Sequence, residues 1–341
     1  MTLSEAIEHL LSGKPLDRAQ AHGVMDVVMA GEATPVQVAG LLVALRARGE
    51  TAEEMAGFVD SMRAHATPLR LTVAAIDTCG TGGDRANTFN ISTAAALVAA
   101  GAGIKVAKHG NRAASSRCGS ADVLEALGVA ISLGPAGVRT CIDEAGIGFC
   151  FAPAFHPAMR HVATARKELG VRTIFNVLGP LANPAGVRRQ ALGVGAPALA
   201  PLMVRVLQEL GHERALVFYG EDGLDELTTT AASHVFDLEG GSVREYRLDP
   251  QEIGLPRCAP ADLLGGTPTE NAAIIRQVFE GEKGARREVV LLNAAAAAVA
   301  AGSAKDFRDG LALAARSIDS GAAGRALDRL VRTSTAVKEP A

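Results

Sequence analysis

The sequence predicts an α/β protein in two unequal parts. A small all-helical domain covers 1–70, and a larger α/β domain with a mostly parallel central sheet and flanking helices covers 71–341. Three observations carry this. The first 67 residues hold four helix-start signals and no strand pattern. From residue 73 short β-type runs alternate with amphipathic helices, the order that implies a parallel sheet covered on both faces. The chain has 341 residues, enough for one large or two ordinary domains.

Each helix of the first part starts on a capping box, a side-chain acceptor three residues ahead of Glu or Gln. The pairs are Thr2 with Glu5, Asp17 with Gln20, Thr34 with Gln37 and Thr51 with Glu54. Pro35 stands where a first-turn proline is tolerated, and Gly13, Gly31 and Gly49 follow the helix ends. Apolar residues recur at helical spacing, as in Val38, Leu41, Leu42 and Leu45.

In the second part the predicted strands are 73–77, 104–108, 129–133, 148–152, 190–195, 214–220 and 287–293, with helices between them over 120–128, 135–146 and 198–211. The run 234–248 reads as a hairpin about Gly240-Gly241. Open α/β sheets bind ligands outside the carboxyl ends of their strands, so chemistry is expected in the loops that follow them.

Composition narrows the function. Hydrophobic residues are 48% and charged residues 21%, which excludes a disordered chain. Aromatics are 4%, with no Trp, and the net charge is −3. Stacking platforms and phosphate-tracking surfaces for nucleic acid are therefore not expected. No apolar run reaches the ~18–20 residues of a membrane span. The residues after Met1 form an acidic amphipathic helix, and the five cysteines contain no CxxC pair. A reduced, cytoplasmic setting follows.

Four strand-end loops carry candidate chemistry. The first, DTCGTGGDRANTFNIST over 77–93, places Gly80, Gly82 and Gly83 ahead of a helix start at Ser92 and Thr93. Such backbone admits phosphate oxygens, and the helix start attracts anions. The string is neither GxxxxGK[ST] nor GxGxxG. Glycines alone leave an ordinary turn equally open; Asp84 and Asn90 favour a ligand. The second loop gathers Lys108, His109, Asn111, Arg112, Ser115, Ser116 and Ser120 between a strand and a helix, again an anion cradle. His109 by itself carries no catalytic assignment.

The third segment, 151–186, holds His156, Arg160, His161 and Arg166. The two histidines are five apart, wrong for a metal pair on one helix face. Spacing alone makes Arg166 an exposed, ion-pairing residue, and Gly179, Pro180, Asn183 and Pro184 a rigid break of the kind that serves as a hinge. In the fourth, Asp222, Asp225 and Glu226 gather acid after a strand. A solvated acidic turn and a Mg²⁺ site both fit; two phosphate cradles nearby favour the metal. No Ser–His–Asp or Cys–His signature is present.

GTGGD (80–84), NIST (90–93), KHGNRAASS (108–116), GSADVLEALG (119–128), the 156–184 run and DGLDELT (222–228) resemble, in order and nearly end to end, the anthranilate phosphoribosyltransferases of tryptophan biosynthesis. The resemblance implies a helical domain joined by a returning portion near 170–190, and a homodimer formed through that domain. It implies transfer of the 5-phosphoribosyl group from phosphoribosyl pyrophosphate to the amino nitrogen of anthranilate. Implied donor contacts are Gly80, Gly83, Asp84, Thr88, Asn90, Ile91, Ser92, Thr93, Lys108, His109, Gly110, Asn111, Arg112, Ala113, Ala114, Ser115, Ser116 and Ser120. Gly80, Asn111 and Arg166 would contact anthranilate, with Arg166 on its carboxylate. Ser92, Asp225 and Glu226 would hold two Mg²⁺ ions per subunit. No residue is implied as general base or nucleophile. A nucleoside phosphorylase and a nucleic-acid-binding relative are the alternatives; both would dispense with Asp225 and Glu226.

Overall fold

The computed structural model describes residues 1–113 and 117–338. Four helices open the chain: α1 (Leu3–Leu11), α2 (Arg18–Ala30), α3 (Pro35–Arg48) and α4 (Ala52–Ala64). All four predicted capping boxes are formed, with both reciprocal hydrogen bonds present. The buried Glu54 carboxylate serves three groups: it closes its own box, accepts from the Leu16 amide at 2.9 Å and pairs with the Arg48 guanidinium. Helices α2 and α4 approach closely at Gly57. A Cβ there would stand 2.9 Å from Ala21 Cβ and 3.0 Å from His22 N. Gly57→Ala is expected to cost about 1–3 kcal/mol in crowding, less the ~1 kcal/mol that alanine returns in helix propensity. Urea denaturation measures this; a stabilised variant would refute the close approach.

The sheet follows. Its first pieces are β1 (Asp77–Gly80), α5 (Ile91–Gly101), β2 (Val106–Gly110), α6 (Ser120–Ala126), α7 (Pro135–Ala145) and β3 (Ile147–Phe151). A helical passage comes next: α8 (Ala152–Phe155), α9 (Arg160–Leu169) and α10 (Phe175–Leu178). Then come β4 (Arg189–Gly193), α11 (Ala200–Glu209), β5 (Arg214–Gly220), β6 (Ser233–Glu239) and β7 (Ser242–Leu248). The chain closes with α12 (Pro268–Phe279), α13 (Ala285–Ala301), α14 (Phe307–Asp319) and α15 (Ala322–Ala336).

Strands β1-β4-β5-β6-β7 form one sheet and β2-β3 a second. A parallel bridge between Ile76 and Val106 joins them side by side. Pairing is parallel from β3 to β5, then antiparallel through β6 and β7. The hairpin turns on Gly240 and Gly241, both at positive φ (57° and 82°), as a two-residue turn between right-twisted strands requires.

Two predicted strands are corrected. Residues 287–293 belong to α13, a 17-residue helix buried almost all round. A short apolar run cannot distinguish a buried strand from a buried helix; the alanines continuing to residue 301 make the helix. Residues 129–133 form no strand. Val129, Ile131 and Leu133 alternate because they insert between helices, and the Val129 and Ala130 amides are satisfied by the Leu124 carbonyl and Ser334 Oγ.

Two cores result. One lies on the sheet face covered by α5, α13 and α15 and takes Ala191, Leu216, Phe218 and Val235. The other lies on the opposite face, takes Leu192, Ala215, Val217 and Phe236, and is shared with α1–α4, α9 and α11. The alternation along β4 and β5 is the period-two signature of a sheet packed on both sides. Ile174, Phe175, Leu178, Leu181 and Ala182 also pack in the helical core. Among the described residues no helix is long and apolar enough to cross a membrane.

Candidate active site

The loops that follow β1 and β5 meet, with the end of β2 beside β1. The loop after β1 turns on Gly82 and Gly83 at φ 66° and 85°, and holds Arg85 and Asn87 in the left-handed region too, at 61° and 55°. Strain at non-glycine residues costs on the order of 1–3 kcal/mol each and persists where the surroundings enforce it. Here the enforcement comes from far along the chain. Thr88 bridges Leu264, the Phe89 amide donates to the Leu263 carbonyl at 3.1 Å, and the Gly265 amide donates to the Asn87 carbonyl at 2.9 Å. Asn271 Nδ2 donates to Asn90 Oδ1 at 2.9 Å, and Asn90 Nδ2 donates to the Cys118 carbonyl at 3.2 Å.

The acidic motif after β5 lands on this loop. The Gly82 amide donates to Asp225 Oδ2 at 2.7 Å, and the Ser92 amide, at the start of α5, donates to Glu226 Oε1 at 3.1 Å. A Cβ on Gly80 would collide with the Asp225 carboxylate, and one on Gly193 with the Asp225 backbone. Glycine at both places is what lets the acid enter. Asp222 does not join the pair. It turns back to accept from the Thr228 and Thr230 hydroxyls, so the acid expected there is two side chains, not three. Asp84 takes its place. Burial, and then the negative charge of Asp84, push the Asp225 carboxyl up to about 7. Burial and Asp225 push Glu226 well above the usual carboxylate range, with Lys108 opposing.

Those three carboxylates want a cation. They are hard oxygen donors, half-buried and mutually repelling, beside a loop shaped for phosphate: the environment that suits Mg²⁺. Among the described residues no group of three or more His, Cys, Asp or Glu closes a metal site alone. Mg²⁺ is ordinarily completed by substrate phosphates and water, so the donor set fits that ion.

The second loop is placed differently from the expectation in two respects. Lys108 is 2% exposed, and its Nζ donates to the Thr78 carbonyl at 2.6 Å. It underlies the cradle as a buried counter-charge to Asp77 and Glu226. Arg112 is exposed and engaged by Asp122 at 2.9 Å and Glu125 at 2.9 Å. The Asn111 carbonyl accepts from Ser120 Oγ at 3.3 Å, and Ala113 N donates to Asp122. Ile91 and Thr93 are buried in the first turn of α5 and Gly110 ends β2. Ala114, Ser115 and Ser116 lie outside the described residues.

Arg166 is not the exposed ion-pairing residue that its spacing suggests. It is half-buried on α9, stacks 5.5 Å from the Phe175 ring centroid, and makes no ion pair among the described residues. Burial alone lowers its pKa. A half-buried guanidinium with no carboxylate among the described residues offers the fork geometry that a carboxylate fits. The 179–184 stretch is pinned in place: Asn183 Nδ2 donates to Asp77 Oδ2 and to the Ala107 carbonyl, both at 2.8 Å. Gln190 Nε2 ties the Pro180 carbonyl at 2.7 Å.

Several functional neighbours are not legible in the sequence. Asn183, Gln190 and Asn271 each tie a segment remote along the chain: Asn183 reaches Asp77, Gln190 reaches Cys79 and Asn271 reaches Asn90. His156 proves to be packed against His109, ring centroids 5.2 Å apart. His109 Nδ1 donates to the Gly179 carbonyl at 3.1 Å, so its Nε2 is a buried acceptor; among the described residues neither it nor the buried His156 Nε2 has a partner. Burial is the main cause that lowers His109 to about 3, His156 to about 4 and His212 to about 4. Their folded values lie below the unfolded ~6.5, so the stability they contribute is complete above that pH and drains as pH falls toward 4. Asp77, raised by burial to about 6, and Asp225 and Glu226, raised further by burial and like charge, act with the opposite sign and stabilise as pH falls. At ~1.4 kcal/mol per pH unit each, the three acids offset the three histidines between pH 6 and 4.5. His212→Gln removes one histidine, so its denaturation midpoint is expected to rise relative to the unsubstituted protein on acidification through that window. Parallel pH profiles for the two proteins would show that the His212 ring protonates in place.

The class of protein can now be stated from known families. Residues 72–324 match the model for the α/β domain of a glycosyl transferase family, and residues 4–66 match its helical bundle domain. The chain is thus a glycosyl transferase. It is 53% identical to anthranilate phosphoribosyltransferase of Moorella thermoacetica over 330 residues, covering 96% of this chain and 97% of that one. With the Thermomicrobium roseum enzyme of the same name it shares 54% over 342 residues, covering 99% and 98%. The crystal structure of the Thermus thermophilus enzyme superposes with a TM-score of 0.92 at 48% identity, covering 97% and 99%. The Saccharomyces cerevisiae enzyme in complex with PRPP and Mg gives 0.90 at 28%, covering 98% of each chain. This chain belongs to the anthranilate phosphoribosyltransferase family.

Proposed function

We propose that this protein transfers the 5-phosphoribosyl group of phosphoribosyl pyrophosphate to the amino nitrogen of anthranilate, releasing pyrophosphate, in a Mg²⁺-dependent step of tryptophan biosynthesis. The observation that carries the reading is the convergence of the Gly80–Asp84 loop, the α5 N-terminus, and Asp225 with Glu226 in one cleft. The yeast relative has been solved with PRPP and Mg, and also with 4-fluoroanthranilate.

The chain's residues divide the work. The Gly80–Asp84 loop, with Thr88, Asn90, Ile91, Ser92 and Thr93, receives the donor's phosphates. His109 to Ala113 and Ser120 wall its other side, above the buried Lys108. Ser92, Asp225 and Glu226, with Asp84 adjoining, would hold two Mg²⁺ ions. Bound there, Mg²⁺ supplies neutralisation of charge on the departing pyrophosphate. Arg166 takes the acceptor carboxylate, with Gly80 and Asn111 beside it. The bond from sugar carbon 1 to pyrophosphate breaks as the bond to nitrogen forms. An aromatic amine is neutral at pH 7, so its attack requires no strong base, and none of the assigned residues is given that role. Orienting both substrates supplies much of the remainder. Purified protein should abolish anthranilate fluorescence when phosphoribosyl pyrophosphate and Mg²⁺ are present. Undiminished fluorescence would refute the assignment.

The domain division at residue 70 and a homodimer through the helical domain belong to the same reading. Supporting the first are the two family matches, which meet between residues 66 and 72. Supporting the second are Leu11, Val36 and Val43 on α1 and α3, apolar side chains 65%, 81% and 48% exposed. A cytoplasmic location agrees with five cysteines that form no disulfide.

A further inference from the structure

A second cleft, of about 510 Å³, lies where the start of α13 meets α12 and the turn at 260–263. The transfer reaction gives it no role. Its chemistry converges on an anion. Helix α13 is 17 residues long and no side chain caps its first turn, so its leading N–H groups and the positive end of its dipole face this region. Lys283, Arg286 and Arg287 line the cleft around that end. Arg287 is 4% exposed; its Nη2 pairs with Asp319 at 2.9 Å, while its Nη1 is buried with no partner among the described residues. An unpaired buried donor is unfavourable, the more so when charged, which a bound anion would offset.

Acids are present too. Asp319 is shared with Lys283 at 3.4 Å, and Glu288 in the first turn of α13 faces Arg287, Lys283 and Asp319, so these two acids balance two of the three cations. Asp262 accepts from the Ala259 amide at 2.9 Å. Glu282 lines the cleft, and its carboxylate makes no hydrogen bond among the described residues. A free acceptor beside a cationic helix end suits a ligand bearing phosphate at one end and hydroxyls at the other. We propose that this cleft binds a phosphorylated polyhydroxy molecule, a sugar phosphate or a nucleoside monophosphate. Its phosphate sits at the α13 N-terminus against Arg287, and its hydroxyls sit on Glu282.

Calorimetric titration of ribose 5-phosphate into the whole protein tests this, in wild type and in the Lys283→Ala/Arg286→Ala variant. Both substituted residues lie outside the transferase cleft. The expected result is a class of binding that the variant weakens at least tenfold, with anthranilate turnover unchanged within twofold. Identical isotherms for the two proteins would overturn the proposal. Arg287→Gln should weaken the same class. Since that residue is buried, its melting temperature is measured alongside, and the surface pair decides the matter if it unfolds. Crystals soaked in tungstate should show an anomalous peak at Arg287 and the first turn of α13; a peak confined to the transferase cleft would count against the site.

Discussion

Asp225→Asn combined with Glu226→Gln is expected to lower kcat by about 10²–10³-fold, whatever the Mg²⁺ concentration, while the protein becomes no less stable. Both halves follow from the same geometry. The two side chains accept the Gly82 and Ser92 amides, and the amide replacements keep an oxygen for each, so the loop and the α5 start stay in place. What disappears is charge. Asp225 is raised to about 7 and Glu226 well above its usual range because burial and like charges surround them. Neutralising such a pair relieves repulsion, the trade between stability and function that active sites carry. Steady-state kinetics and thermal melting measured together are decisive. Turnover within threefold of wild type would place the metal elsewhere.

Arg166→Ala should raise the anthranilate KM by roughly 30–150-fold, the ~2–3 kcal/mol of a charge-assisted hydrogen bond to a half-buried guanidinium. The donor KM should barely change. Arg166 has Phe175 behind it and no ion-paired acid among the described residues, so the variant breaks no ion pair among them. Arg166→Lys is expected to fall between, since it keeps the charge and loses the fork that meets both carboxylate oxygens. Equal increases for donor and acceptor would remove Arg166 from the acceptor site.

How much the sequence makes legible depends on separation along the chain. Capping boxes are fully legible because cap and partner are three residues apart and the bonding is local. So is the Gly240-Gly241 hairpin, where backbone handedness demands those residues. The glycine loop and the acid pair are recognisable as types of chemistry. Their contact is not, since Gly82 and Asp225 are 143 positions apart. Asn183 reads as part of a break because nothing local shows that Asp77, 106 positions away, needs its amide. Residues 287–293 mislead for a related reason: a fully buried element shows no polar face, so its pattern has no period to report.

The sequence by itself therefore determined the helical and α/β parts, the family, and the residue types offered for phosphate and metal binding. The tertiary structure alone decided which acids meet, sending Asp225 and Glu226 into the cleft and Asp222 out to Thr228 and Thr230. It also decided that Lys108 works from beneath the cradle, that His156 faces His109, and that Arg166 is half-buried without an ion pair among the described residues. The physical reason is that side-chain periodicity and capping are properties of a few consecutive residues. Desolvation and like-charge repulsion arise only when distant strand ends are brought together and water is removed from between them.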